Sequence, residues 1–448
     1  MEYRLSQRNI PLNDAYEVIV VGGGPAGCAA AIAAAREGSK TLLIESGGFL
    51  GGMATKALVN TWCPFSDGEK VVYKGLAEKI FNAAKKGIPR VRDEDKDWVA
   101  IDYERLKRVY DEMVSSAGVD VLFLSSLCAV DMDDSRHVKA IIISNKAGLS
   151  AYKAKIYIDC TGDADLCYWA GAECVEGDEN GATQPGTMCF MLSNVNTKVF
   201  FEKTDSLHPC HPDSPIHTIV ESGKYDLIPD RHMVDKMVGP GTFGFNAGHI
   251  WGVDYTKPDT ITKGMMDGRK IAAQFRQALA DTWPEAFGDS FLAATGSVVG
   301  VRESRRIIGD YVFTIDDFMA RRTFADEIMR NCYYIDIHET PAESEEQRKN
   351  GPRMTDERYE RYQPGETHGL PYRCLTPKDL DNVLVAGRTV STDRVTQGSL
   401  RVMPCCLCMG EAAGIAAAMA AKSDSLNVHT VDVQALRRRL KEAGAYIL

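Results

Sequence analysis

One stretch fixes how this chain must begin to fold. In YEVIVVGGGPAGCAAAIAAAREG, a four-residue apolar run, Val18 to Val21, precedes Gly22-x-Gly24-x-x-Gly27. An alanine-rich run follows to Gly38, and a second apolar run, Thr41 to Ile44, ends in the acid Glu45. Strand, glycine turn, helix, strand and acid is the order of a Rossmann-type unit. The first glycine allows the tight turn, the second lets a pyrophosphate reach the backbone, and the third lets helix and strand pack closely. Pro25 and Ala26 open the helix, whose free N–H groups face the phosphates. Glu45 is placed to accept hydrogen bonds from ribose hydroxyls and repels a 2′-phosphate. The spacing recurs in GPGTFG, residues 239–244, but no strand precedes it and no alanine-rich helix follows, so it predicts no second nucleotide site.

The rest of the chain reads as α/β. Helices are predicted at 75–86, 102–117 and 261–280, after Pro404, and over 431–443. Runs at 119–124, 129–132, 138–144 and 153–158 predict the strands of a β-meander, and NVLVAGR at 382–388 a strand followed by a turn. From about Cys174 the texture changes to prolines, aromatics and loop-like stretches such as HPCHPDSP and HETPAESEEQRKNGPRMTDE. The expected organisation is a dinucleotide-binding domain over 15–173, an inserted α+β substrate domain over 174–373, a return segment over 374–425 and a C-terminal helix over 426–448.

Charge and cysteine usage narrow the partners. With 52 basic and 62 acidic side chains the net charge is −10, which disfavours nucleic acid as a main partner. Thirteen scattered cysteines in 448 residues are not a secreted disulfide framework. With no apolar leader in MEYRLSQRNIPLND and no apolar run long enough to span a bilayer, a cytoplasmic protein without a membrane partner is expected. A homo-oligomer is compatible with this reading.

After Glu45 comes Ser46 and then GGFLGGMAT, a second glycine-rich loop that a plain NAD domain does not need. With this loop, DCTGD at 159–163, GVRESRRIIGDYVFTIDD at 300–317 and NVLVAGRTVSTDRVTQGSLRVMPCCLCMGEAAG, the chain resembles the FAD-dependent oxidoreductases of the glutathione-reductase-type flavin fold, in particular the bacterial group related to fumarate reductase flavoproteins. The resemblance runs through nearly the whole chain and implies FAD. It implies that Gly51, Gly52 and Met53 follow the pyrophosphate and flavin, and that Leu127 offers backbone to the adenine. It further implies that Thr161 and Gly162 return under the cofactor, and that Gly387, Arg388, Arg401 and Val402 belong to the C-terminal flavin segment. No second complete Rossmann fingerprint is present, so a separate NADPH domain is not expected and the electron partner is unknown.

Chemistry over a flavin needs groups that orient a small-molecule substrate and move a proton. GVRESRR concentrates Arg302, Glu303, Arg305 and Arg306; Arg302 and Arg305 are candidates for binding an anionic or hydroxylated substrate, against a structural role in ion pairs. His249 in GFNAGHIWGVDYT and His338 in YYIDIHETP are the candidate bases. The resemblance also implies that Tyr372 and Arg373 close over the isoalloxazine. His208, His211, His217 and His232 are expected at the surface, and HPCHP lacks a fourth ligand, so no metal site is predicted. The leading expectation is hydride transfer between flavin N5 and a small hydroxy or carboxy compound. The alternatives are a thiol–disulfide or electron-transfer flavoprotein, suggested by Cys405-x-x-Cys408, and a flavoprotein acting on tRNA. The cysteines are read instead as small packing residues at the start of a helix whose positive end stabilises reduced flavin.

Overall fold

A computed structural model describes residues 9–133, 136–178, 181–228, 230–338 and 361–448. The predicted loop at 339–357 lies outside the described residues. Val18–Val21, Thr41–Ile44, Ile156–Asp159 and Val383–Val385 are buried along their whole length. Strands apolar on both faces belong in the middle of a parallel sheet covered on both sides. They form such a sheet with Asp120–Leu122, in the order Val383–Val385, Ile156–Asp159, Val18–Val21, Thr41–Ile44, Asp120–Leu122, with every pairing parallel.

One face of the sheet carries two helices, Pro25–Arg36 and Met403–Ala421, packed along each other. A Cβ at Gly410 would lie 2.1 Å from Ala26 O, and one at Gly414 2.2 Å from Ala30 O. Only glycine permits this approach, so the small-residue composition of both helices is a packing requirement. Among the described residues Met403–Ala421 is the one helix long and apolar enough to cross a membrane, and 83% of its apolar window is buried in this core.

The other face is covered by a meander of Ser126–Met132, Val138–Asn145 and Gly148–Tyr152, with Leu12–Asn13 added in parallel. The predicted membership of this meander needs correction. Residues 119–124 and 153–158 supply strands of the parallel sheet, and Gly148–Tyr152, where no strand is predicted, is a meander strand. Short half-apolar runs do not reveal which sheet they join.

A second antiparallel sheet runs Met233–Gly239, Thr242–Ala247, Phe190–Ser193, Phe291–Thr295 and packs on the long Pro258–Thr282 helix with its own core, including Phe190, Phe243, Phe245 and Phe275. Phe313, Phe318, Ile328, Tyr333 and Tyr372 share the core of the Pro25–Arg36 and Met403–Ala421 helices. The second antiparallel sheet with its helix is called the cap, and residues 239–244 turn its Met233–Gly239/Thr242–Ala247 hairpin.

Candidate functional site

The glycine turn joins the first strand to the Pro25–Arg36 helix. Gly22 has φ +102°, and a Cβ there would lie 2.3 Å from Cys160 O, so strand Ile156–Asp159 passes directly beneath the turn. The helix starts at Gly24 with Pro25 in its first turn and no side-chain cap. Its first N–H groups therefore face outward unpaired by any side chain. Glu45 stands against the turn: Gly23 N–H donates to Oε2 at 2.9 Å, while Ser46 Oγ, Gly47 N–H and the Lys56 ammonium gather on Oε1. Lys56 was not anticipated; a lysine four residues past the GG pair is its sequence signal. Gly51 and Gly52, both left-handed, carry the second loop against Gly24, and Met53 Sδ accepts from Val301 N–H at 3.4 Å. Leu127 sits at the near end of the meander, just after Ser125 N–H donates to Glu45 O at 3.1 Å.

Further along the sheet, Thr161 Oγ1 donates to Asp159, and the Arg388 guanidinium lies over Gly162 and pairs with Asp163 at 2.7 Å. Gly387 has φ +107° beside Ala26. Met403–Ala421 starts at Val402, again without a side-chain cap. Two uncapped helix N-termini on one side of a parallel sheet, with the buried Nε atoms of Arg388 and Arg401 and the hydroxyl of Thr389 left unpartnered, fit an extended polyanionic ligand carrying hydrogen-bond acceptors.

Beside the Met403–Ala421 terminus a group of ionisable side chains converges. Arg302 is buried and donates to Pro185 O at 2.7 Å, Thr187 Oγ1 at 2.9 Å and His232 Nε2 at 3.1 Å. Burial, and secondarily the charge of Arg401, lowers its pKa to about 10. Arg401 donates to Asp336 O at 2.9 Å and Oδ2 at 3.1 Å. His249 bridges Asp230, 3.0 Å from Nδ1, and His338, 2.9 Å from Nε2. The ligand-capable nitrogens of His232, His249 and His338 lie within 4.8 Å of one another. Burial and then the neighbouring histidines hold His232 well below its ordinary range. Burial also drives His338 down to about 3, helped by Arg302 and opposed by Asp336.

Several expectations are corrected by this geometry. His232 is not a surface residue. Met233 pairs with Ala247 across the 239–241 turn, so the residues just outside that ladder, His232 and His249, emerge together. Reading GPG as a hairpin turn would have found it. Arg305 does not reach the cluster: it pairs with Asp165 at 2.9 Å and covers the Tyr168 ring. Arg306 and Arg394 flank the fully buried Glu303, which also accepts Gln184 N–H. Of the GVRESRR charges, only Arg302 faces the histidines. Tyr372 is buried with its hydroxyl on Val428 O at 2.8 Å, and Arg373 pairs with Asp326, so neither closes over the site. Gln184 and Gln397, not anticipated, link His338 N–H to the backbone of Arg302. The Cys405 thiol is buried against Asn331 and Cys406 against Arg401 O; burial pushes the Cys406 thiol up to about 12. A separate cleft of about 650 Å³, lined by Arg90, Trp98, Phe201 and Lys236 among others, holds none of these groups.

A parallel sheet with a glycine turn under an uncapped helix defines a dinucleotide-binding α/β protein. The particular family follows from the sequence. The profile of the FAD dependent oxidoreductases matches residues 17–440, and the chain belongs to that family: it is an FAD-dependent oxidoreductase, with FAD as its cofactor. Glutathione reductase of Schizosaccharomyces pombe is 32% identical over 138 residues, a match spanning 28% of this chain and 28% of that protein. Among solved structures, a geranylgeranyl bacteriochlorophyll reductase-like protein from Thermoplasma acidophilum is 15% identical, with TM-score 0.47, over 97% of this chain and 84% of its own. The p-nitrophenol 4-monooxygenase of Pseudomonas putida DLL-E4 is 12% identical, with TM-score 0.40, over 97% of this chain and 82% of its own.

Proposed function

We propose that this enzyme transfers hydride between FAD and a small polar organic substrate bearing a hydroxyl or carboxyl group. In this reading FAD lies with its pyrophosphate at Gly24 and the Pro25–Arg36 terminus. Glu45, Ser46 and the backbone near Leu127 face its adenosine, and Gly51, Gly52 and Met53 run along its middle. Thr161, Gly162, Gly387, Arg388 and Val402 surround the flavin end. FAD supplies a two-electron hydride acceptor or donor; the chain supplies orientation, exclusion of water and proton movement.

The observation that carries the reading is the buried Arg302 on His232, with His338 in its field, and Arg401 on Asp336 at the uncapped Val402 terminus. Arg302 is buried, with only neutral groups as its close hydrogen-bond partners. A cation desolvated in this way gains most from an anionic ligand. The antiparallel cap sheet, which delivers His232 and His249, forms the substrate side. The buried thiols of the Met403–Ala421 helix support packing over disulfide chemistry.

The test is anaerobic mixing of the FAD-loaded protein with a panel of hydroxy acids, sugars and amines. Hydroxy acids are expected to bleach the visible flavin band, and Arg302→Ala to weaken this by about 100-fold or more. Bleaching by amines alone would sink the reading.

A further inference from the structure

Four side chains form a line from the protein interior to the substrate side: Asp230, His249, His338 and Asp336. The first two are 5% and 4% accessible, the last two 25% for Asp336 and 18% for His338. An ionised carboxylate only accepts, so the 3.0 Å contact with Asp230 places a hydrogen on His249 Nδ1. With a single proton on the ring, its lone pair is on Nε2. The 2.9 Å contact there requires His338 Nδ1 to donate, which leaves the lone pair of His338 on Nε2. That nitrogen lies 3.7 Å from Asp336 Oδ1, a long ion-pair contact with a group that only accepts. The remaining imidazole, His232, has its Nε2 lone pair covered by Arg302. His338 Nε2 is thus the one basic nitrogen of the three rings with no donor hydrogen-bonded to it, its nearest charged neighbour being the Asp336 carboxylate.

A shared metal ion is a poorer account of the same contacts. Two imidazole ligands on a tetrahedral ion stand about 3.3 Å apart, whereas 2.9 Å is a hydrogen-bond separation. The Arg302 guanidinium on His232 also places a positive charge where the ion would have to sit.

We propose that Asp230, His249 and His338 form a proton relay whose outer nitrogen, His338 Nε2, takes the hydroxyl proton of a hydroxy-carboxylate held by Arg302 and Arg401. The inference rests on the reading above and sets its direction as substrate oxidation. The substrate O–H bond breaks and its proton goes to His338 Nε2. Bound FAD would supply the two-electron acceptor for the carbinol hydride, C=O forming as the substrate loses two hydrogens and two electrons. The Nδ1 proton of His338 shifts to His249 Nε2 and that of His249 Nδ1 toward Asp230. His338 is the catalytic residue; His249 and Asp230 are positioning residues.

The charged and titratable groups facing His338 are Arg302, Arg401, Asp336, His249 and His232. Burial, with Arg302, keeps His338 neutral at working pH. A substrate carboxylate on Arg302 offsets that positive charge and makes the ring more basic, so an anionic alcohol activates its own base and a neutral alcohol does not.

Nitrogen-15 NMR of histidine-labelled holoprotein without substrate reads the relay directly. Expected are protonated Nδ1 on His249 and His338 with unprotonated Nε2 on both. Asp230→Asn and His249→Gln should each redistribute the His338 tautomer and lower kcat about 10-fold or more with KM nearly unchanged, and His338→Gln about 100-fold or more. A protonated His338 Nε2, or unchanged kcat in His338→Gln, overturns the relay, as does stoichiometric zinc or iron on the three histidines of purified protein. Hydroxy-acid bleaching that persists unchanged in His338→Gln would refute the relay alone. The expected NMR pattern without bleaching by any hydroxy acid would refute the substrate reading and with it the proposed proton donor.

Discussion

Glycines that look alike in the fingerprint have different roles, and substitution separates them. A Cβ at Gly27 would sit 1.8 Å from Gly22 O, whereas one at Gly24 meets nothing nearer than Gly52 Cα at 3.9 Å. Gly24 also has an ordinary φ of −73°. Gly24→Ala is expected to fold with wild-type thermal stability and to weaken FAD binding by about tenfold or more, because the methyl projects where the pyrophosphate approaches. Gly27→Ala is expected to unfold the protein or lower its melting temperature sharply. Flavin fluorescence titration with thermal melts separates the two. A second residue-scale prediction concerns Glu411, buried against the start of Leu76–Lys85, where it accepts Leu76 N–H at 3.0 Å. Burial raises its pKa from 4.5 to about 7, against the hydrogen bond from Leu76. A carboxyl raised on folding favours the folded state below its unfolded pKa and loses that contribution as pH rises through about 7. The loss is on the order of 3 kcal/mol. Denaturant melts should show stability falling between pH 4.5 and 7, and Glu411→Gln should remove much of that slope. The sequence made the dinucleotide residues legible because backbone geometry dictates glycine there. It did not separate Arg302 from Arg305, since two arginines three residues apart carry no mark of which one an acid will capture.

Elements were legible where their period was long and one-sided. The helix after Pro404 and the charged C-terminal helix fall where the pattern places them, at Met403–Ala421 and Val433–Ala443. The meander was only half legible, because a three- or four-residue strand reads the same in either sheet. His232 escaped notice because its partner lies seventeen residues on across a hairpin. A hairpin register is visible only once the turn is recognised as a turn. The close contact of the two core helices yields its own prediction. Gly414→Ala would place a methyl 2.2 Å from Ala30 O and 2.8 Å from Ala33 Cβ. Neither helix backbone can give way without shifting the glycine turn at its end. A loss of about 1–3 kcal/mol in chemical denaturation is expected, together with weakened FAD affinity. Unchanged affinity and stability would mean that the helices sit farther apart than described.

At the scale of the molecule, the parallel sheet brings together residues from opposite ends of the chain. The Val18–Val21 and Val383–Val385 strands flank Ile156–Asp159, so the turns that follow them, after Val21 and after Val385, come to the same end of the sheet. The cap sheet then delivers His232 and His249, while the segment after Glu327–Asn331 delivers Asp336 and His338. Local motifs announced the cofactor; the proton-handling site is assembled from three distant segments, which one sequence does not juxtapose. The central claim is that FAD bound at the glycine turn presents its flavin ring to Arg302 and His338. A crystal structure of the protein with FAD tests this most directly. The account predicts the pyrophosphate on the N–H groups after Gly24 and the isoalloxazine beside Val402, with Arg302, Arg401 and His338 facing it from the cap side. An isoalloxazine lying out of reach of Arg302 and His338 would contradict it.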